Sequence, residues 1–178
     1  MSATTWNIDP THSEVKFKVK HLVISTVTGS FNTFAGTIEA EGDGTSFENA
    51  KASFTADTDS IFTNNADRDA HLKSDDFFNT EAFPKLSFES TKFEHTGDGE
   101  YKVTGNMTIR DITKEIVLDA VHGGTVGDPY GNTKAGFEIS GTINRKEFGL
   151  KWSAITEAGS VVVGDKVKLE LNVQFVKG

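Results

Sequence analysis

The sequence predicts an all-β protein, an extended eight-stranded antiparallel β-barrel with one short helix near residues 65–78. Apolar and polar residues alternate along most of the chain, which is the pattern of strands with one buried face. Glycine-rich turns at residues 42–44 and 97–99 suit tight hairpins between antiparallel neighbours. Segment 166–176 alternates throughout and would extend about 35 Å, at about 3.3 Å per residue. Long strands with simple connections favour a tall barrel over a compact sandwich.

The alternating segments, predicted as strands, are 14–20, 27–41, 49–60, 85–93, 101–110, 114–122, 134–144 and 166–176. Segment 64–78 does not alternate and is predicted as a helix whose first turn is capped by an Asn or Asp. A second short turn is predicted at 153–160, and Gly123-Gly124 with Asp128-Pro129 marks a loop. No linker, internal repeat or low-complexity segment is present, so residues 1–178 are expected to form one domain.

Composition narrows the classes of partner. The net charge of −8 and the pI near 5.1 argue against nucleic acid and against adsorption to an anionic membrane. The chain contains no cysteine, which removes disulfides and thiolate metal sites, and no apolar run long enough to insert stably into a membrane. The N-terminus has no signal-peptide pattern, which predicts a cytoplasmic protein; the periplasm is the alternative if a leader has been removed.

The barrel interior is expected to contain space. Ala50, Ala52 and Ala56 share a face with Phe54, and small inward residues leave volume that a close-packed core would fill. Glycines interrupt other strands at positions 29, 36, 105 and 141. These glycines either leave further space or kink the strands at barrel corners. The 14 phenylalanines of the chain would make such a space apolar.

Several segments together resemble one family of proteins. Residues 6–13 read WNIDPTHS, residues 15–22 read VKFKVKHL, residues 68–78 read RDAHLKSDDFF and residues 83–90 read FPKLSFES. In this order and spacing they resemble the YceI-like family of polyisoprenoid-binding, lipocalin-like proteins. The resemblance implies a lipocalin-like barrel whose long apolar tunnel binds isoprenoid chains such as polyprenyl phosphates or isoprenoid quinones. It also allows a homodimer.

Strand parity predicts which side chains would line such a tunnel, because alternate residues of a strand share a face. The predicted wall residues are Val15, Phe17, Val19, Phe31, Phe54, Leu86, Phe88, Met107, Leu118, Phe137, Ile139, Leu169 and Leu171. An isoprenoid buried there needs few polar contacts, since each buried CH₂ group is worth about 0.8 kcal/mol.

Polar residues are predicted at the tunnel mouth, where a head group would lie. They are His21, Arg68, His71 and Arg145. Arg68 and His71 are one helical turn apart, so on a helix they would share a face and meet a phosphate or a quinone carbonyl. The competing interpretation is that Arg68 pairs with Asp69, Asp75 or Asp76 and pins the loop to the barrel. His12 is expected to form a local hydrogen bond that orders the N-terminal segment.

No residue pattern predicts a catalytic or metal site. The five histidines have no metal-ligand spacing, and no nucleophile motif or phosphate-binding loop is present. The sequence therefore predicts a lipid-binding protein without a cofactor, acting in storage, transport or stress protection. Two alternatives remain: an enzyme acting on a small apolar substrate at the barrel mouth, and a filled barrel that acts through protein partners.

Overall fold

The computed structural model describes residues 3–21, 24–42, 44–150 and 163–178. Within these ranges the strands are β1 (Thr4–Ile8), β2 (Glu14–His21), β3 (Ser25–Phe31), β4 (Phe34–Ala40), β5 (Lys51–Asp57), β6 (Ile61–Phe62), β7 (Lys85–Gly97), β8 (Glu100–Ile109), β9 (Ile112–Gly127), β10 (Thr133–Asn144) and β11 (Val163–Lys177). The helix α1 (Ala66–Lys73) lies between β6 and β7. No helix in these ranges has the length and apolar character needed to cross a membrane.

These strands form a closed antiparallel barrel of eight long strands, as predicted. Three of the eight are interrupted. A 3₁₀ turn at Pro10–His12 separates β1 from β2, which pair with the same edge of β11. The second interrupted strand consists of β3, which pairs with β2, and β4, which pairs with β1. The third consists of β5, which pairs with β4, and β6, which pairs with β3. The barrel closes where β1 meets β11, with Trp6 opposite Lys177.

The Gly123-Gly124 loop prediction was wrong. Strand β9 continues through both glycines, and Gly124 lies opposite Gly136 on β10. The register shifts next to this pair, between Gly136 and Phe137. Gly124 has φ of 138°, so glycine here serves a bulge inside a strand. The turn lies further on, where the Asp128 carboxylate accepts hydrogen bonds from the amides of Tyr130 and Asn132.

Other boundaries also differ from the prediction. The predicted strand 27–41 is broken at Asn32-Thr33, 49–60 contains a 3₁₀ turn at Thr58–Ser60, and β1 was missed altogether. The helix is shorter than 64–78, and its N-cap is Asn65, whose side chain accepts a hydrogen bond from the amide of Arg68. The turn predicted at 153–160 lies outside the described residues.

An aromatic cluster closes the barrel end where β8 begins. Phe47, from the β4–β5 connection, is fully buried, and its ring contacts those of Trp6 and Phe137 at centroid distances of 5.5 and 5.0 Å. The Phe47 amide donates a hydrogen bond to the hydroxyl of Tyr101, at the start of β8. Ile109, at the far end of β8, instead lines a cavity together with residues of α1. The two ends of the barrel are therefore built differently.

The inward glycines make room for neighbouring side chains. A Cβ atom at Gly105 would lie 2.5 Å from Cζ of Phe88, and one at Gly29 would overlap the ring of Phe17. These rings come from the adjacent strands, where Phe17 is directly opposite Gly29. The space expected at these two positions is thus occupied by aromatic rings, and the vacant volume of the barrel lies elsewhere.

Candidate ligand-binding site

The barrel encloses two adjoining cavities lined by described residues. The narrow cavity has a volume of about 110 Å³ and the wide cavity about 580 Å³. They share the wall residues Phe17, Phe31, Leu86, Met107 and Leu169, so they meet at one level of the barrel. The wide cavity falls within the range of small-molecule sites, roughly 300–1,000 Å³.

The narrow cavity is almost wholly apolar. Among the described residues that line it, Lys16, Thr37 and Ser53 are the ones with nitrogen or oxygen in their side chains. The remaining lining consists of aliphatic and aromatic residues, including Phe54, Phe88 and Phe137. A polar group placed there would lose its hydrogen bonds to water, so the chamber suits the apolar part of a ligand.

The structure places all thirteen predicted wall residues on a cavity wall. Val19 lines the wide cavity and the other twelve line the narrow one, five of them being shared. Their contact with a ligand stays a prediction. Strand parity also places Val103 on the same face of β8 as Met107, but Val103 was not among the predicted wall residues. Phe77 and Phe78 were missed because they follow α1, outside any strand pattern.

Polar side chains enter the wide cavity from one segment in particular. Thr63, Asn65, Asp67, Arg68 and His71 all belong to the residues before α1 or to α1 itself, and all line this cavity. Lys20 and Arg145 complete its polar lining among the described residues. The site therefore combines an apolar inner chamber with an outer chamber that has polar and charged groups on one side.

The predicted ion pair of Arg68 is not formed with Asp69, Asp75 or Asp76. Its Nε donates to Oγ1 of Thr63 at 2.8 Å and its guanidinium also donates to the carbonyl oxygen of Thr63. The Asp69 carboxylate accepts hydrogen bonds from the amide and the hydroxyl of the same threonine. The arginine is thus held in place by neutral groups of a neighbouring residue.

Arg110 makes the pinning contact that was predicted for Arg68. It lies in the turn between β8 and β9, and its guanidinium donates to the carbonyl oxygens of Asp75 and Phe77 at 3.0 and 3.2 Å. It also forms an ion pair with the Asp75 carboxylate at 2.8 Å, and its guanidinium lies 5.5 Å from the ring centroid of Phe83. The segment after α1 is therefore attached to the far end of the β8–β9 hairpin.

The histidines have separate environments. His71 bonds to the Asp76 carboxylate at 2.7 Å, and its ring meets the Phe77 ring at 5.1 Å. His12 bonds to Asp9 at 2.8 Å, which is the local contact predicted for it. The side chain of His21 lies outside the described part of the structure.

Asp9 collects several donors at the start of the chain. Hydrogen bonds from Thr11 and His12, with a smaller contribution from Lys134, hold the pKa of its carboxyl well below the usual range. The group also caps the 3₁₀ turn that separates β1 from β2. It therefore stabilises the fold at the barrel seam and lies outside both cavity walls.

Arg145 is a buried cation on the wall of the wide cavity, with 3% of its surface exposed. Its Nε donates to the carbonyl oxygen of Gly164 at 2.8 Å and another nitrogen donates to that of Leu150. The Asp165 carboxylate lies 3.9 Å from the guanidinium. Burial lowers the pKa of Arg145, while the charge of Asp165 opposes that shift.

Metal-ligating side chains do not assemble in the part of the chain that the structure describes. There, no group of three or more His, Asp or Glu residues is arranged to hold a metal ion.

Comparison with known proteins identifies the family. The model of the YceI-like domain matches residues 6–175. The chain belongs to the YceI-like family. A UPF0312 protein of Staphylococcus aureus strain N315 is 39% identical over 173 residues, which are 97% of each chain. A UPF0312 protein of Staphylococcus epidermidis is 38% identical over the same length and coverage.

Solved structures share the fold of this YceI-like chain. The YCEI protein of Campylobacter jejuni has a TM-score of 0.74 and 34% identity, with 87% of each chain covered. BcnA of Burkholderia cenocepacia has a TM-score of 0.80 at 18% identity, covering 94% of this chain and 98% of its own. A polyisoprenoid binding domain from Saccharophagus degradans has a TM-score of 0.69 at 14% identity, covering 97% and 98%.

Proposed function

We propose that this protein binds one long-chain isoprenoid lipid, a polyprenyl phosphate or an isoprenoid quinone, whose head lies at the polar side of the wide cavity and whose tail extends through that cavity into the narrow one. The observation that carries the proposal is the pair of adjoining cavities, apolar at the inner end and polar at the outer end. A sugar or nucleotide would leave polar groups unpaired in the inner chamber. Membership of the YceI-like family supports the proposal, as does a structural relative named for polyisoprenoid binding.

The role proposed is binding for storage, transport or stress protection, without a chemical step. The apolar chamber supplies the affinity, because burying each CH₂ group of a lipid contributes about 0.8 kcal/mol. The alternative of a filled barrel is not favoured, since the two cavities leave volume in the interior. No contact described above favours a reaction at the barrel mouth.

Mass spectrometry of the purified protein and of its solvent extract tests the proposal. We expect an added mass in the native spectrum that extracts as an isoprenoid. Met107→Trp should abolish it, because Met107 lies on the wall of both cavities and an indole would fill their junction. Asn106→Trp is the matched control, since Asn106 immediately precedes Met107 on β8 and its side chain is exposed.

The result has two informative failures. An extracted ligand that is not an isoprenoid would refute the assignment of the lipid class. Retention of the full lipid load by a folded Met107→Trp protein would show that the lipid does not pass the junction. If the protein is purified without a ligand, uptake of added geranylgeranyl lipids replaces the extraction.

A further inference from the structure

The described residues on the wall of the wide cavity carry a net charge opposite to that of the chain. The chain has 26 acidic and 18 basic residues, yet the described wall has the cations Lys20, Arg68 and Arg145 and one carboxylate, that of Asp67. Cations lining a concave site with apolar walls concentrate the electrostatic field and attract anions. We infer that the wide cavity selects an isoprenoid with an anionic, phosphate-type head group over a neutral alcohol or quinone. This inference rests on the proposed function.

Arg68 is oriented for this task before a ligand arrives. Its two hydrogen bonds to Thr63 fix the guanidinium, and Thr63 is fixed in turn by Asp69. Arg68 has no carboxylate within ion-pair distance among the residues that the structure describes. A planar guanidinium binds phosphate oxygens through parallel hydrogen bonds, and a side chain that is already ordered loses little entropy on binding.

Arg145 adds a second guanidinium, within a desolvated wall. The Asp165 carboxylate lies 3.9 Å from it but only 3.2 Å from the ammonium group of Lys146, so one carboxylate is shared by two cations. A buried charge is stabilised by an opposite charge at short range in a low-dielectric site. An anionic head group in the wide cavity would add an opposite charge on the wall that Arg145 lines.

The ring of Phe77 contacts both Arg145 and His71. The Arg145 guanidinium lies 6.0 Å from the centre of this ring, and the His71 ring meets it at 5.1 Å. His71 follows Arg68 by one helical turn, so both side chains share a face of α1. The wall around Phe77 is therefore the expected position of the head group.

Three ligands with the same geranylgeranyl tail test the inference on the intact protein: geranylgeranyl monophosphate, geranylgeraniol and menaquinone-4. Calorimetric titration in a mild detergent should show the phosphate binding at least about tenfold more tightly than the other two, since a hydrogen bond to a charged group is worth about one decade of affinity or more. Inorganic phosphate alone should bind too weakly to measure. Tight binding of inorganic phosphate would assign the site to a free anion and overturn the lipid head-group inference.

Arg68→Gln should remove the preference, because it removes the charge and keeps an amide that can bond to Thr63. We expect about tenfold weaker binding of the phosphate and unchanged binding of geranylgeraniol, whereas Arg68→Lys should retain most of the preference. Lys73→Gln is the matched control: Lys73 is also on α1, pairs with Asp59 at 3.5 Å and lies outside the cavity walls.

The outcomes separate this inference from the proposed function. Equal affinities for the three ligands would overturn the head-group inference and leave isoprenoid binding intact. Binding of none of them would overturn the proposed function itself. An equal loss of affinity for all three in Arg68→Gln would show that Arg68 only supports the wall. If Arg68→Gln does not fold, the comparison of the three ligands on the unmodified protein still decides.

Discussion

Arg110 should contribute more to stability than any surface ion pair, and the reason lies in its partners. Its side chain is 19% exposed, and its guanidinium donates to two backbone carbonyls, of Asp75 and Phe77. The Asp75 side chain is 80% exposed, so the ion pair itself is worth about 0.2–1 kcal/mol. One nitrogen serves both carbonyls, so we count them as a single charge-assisted hydrogen bond, worth about 1.5–3 kcal/mol. Arg110→Ala should therefore lower the free energy of unfolding by about 2–4 kcal/mol.

The backbone at Arg110 supplies a second, independent comparison. Its φ of 56° lies in the left-handed region, which costs a residue with a Cβ about 1–2 kcal/mol and costs glycine almost nothing. Arg110→Gly loses the same side-chain contacts as Arg110→Ala but removes this backbone cost. The Gly variant should accordingly be about 1 kcal/mol more stable than the Ala variant.

Urea unfolding at pH 7 measures the free energy of unfolding of the unmodified protein, Arg110→Ala, Arg110→Gly and Asp75→Ala. The m-value should be the same for all four proteins. We expect Asp75→Ala to cost no more than about 1 kcal/mol, because only the exposed ion pair and a contact to Asn79 are lost. An equal cost for Asp75→Ala and Arg110→Ala would show that the carbonyl contacts of Arg110 contribute nothing to stability. An Arg110→Gly protein less stable than Arg110→Ala would refute the backbone argument.

Two further predictions concern the barrel seam and its closed end. Because hydrogen bonds hold the pKa of Asp9 below its unfolded value, its stabilisation is fully present above about pH 4 and is lost as the pH falls towards the folded pKa. The free-energy difference between the unmodified protein and Asp9→Asn should thus shrink between pH 5 and pH 3 in urea unfolding, and a constant difference would contradict this. Phe47→Ala should cost about 3–5 kcal/mol, because Phe47 is fully buried between aromatic rings. A cost below about 1 kcal/mol would show that Phe47 does not close this end of the barrel.

Strand parity was enough to predict which side chains face the cavities, because it is a local rule, whereas the barrel was predicted from strand length and hairpin turns. Phe17 and Val19 face inward for the same reason that Lys18 faces outward, and no knowledge of distant residues is needed. The rule failed where glycine is ambiguous. Gly123 and Gly124 read as a turn, yet they lie in β9 beside a bulge, and only the pairing with β10 distinguishes the two outcomes.

The polar contacts of segment 63–78 could not be predicted in the same way. Four acidic residues lie within eight positions of Arg68, so a local ion pair is the natural expectation from sequence. The partner chosen by Asp75 is instead Arg110, which is 35 residues away and is brought close by the β8–β9 turn. This choice depends on the closure of the barrel, because that closure decides which turn lies beneath the segment.

That exchange of partners has a functional consequence. Arg110 attaches segment 63–78 to the barrel, so Arg68 is not needed for that attachment. Arg68 has neutral hydrogen-bond partners and lines the wall of the wide cavity. A guanidinium needed only for attachment would be expected to pair with one of the nearby carboxylates, as Arg110 does. Keeping a cation with neutral partners beside an apolar chamber costs stability unless an anion binds there. The different partners of Arg68 and Arg110 therefore favour an acidic head group in this cavity, independently of the number of cations on its described wall.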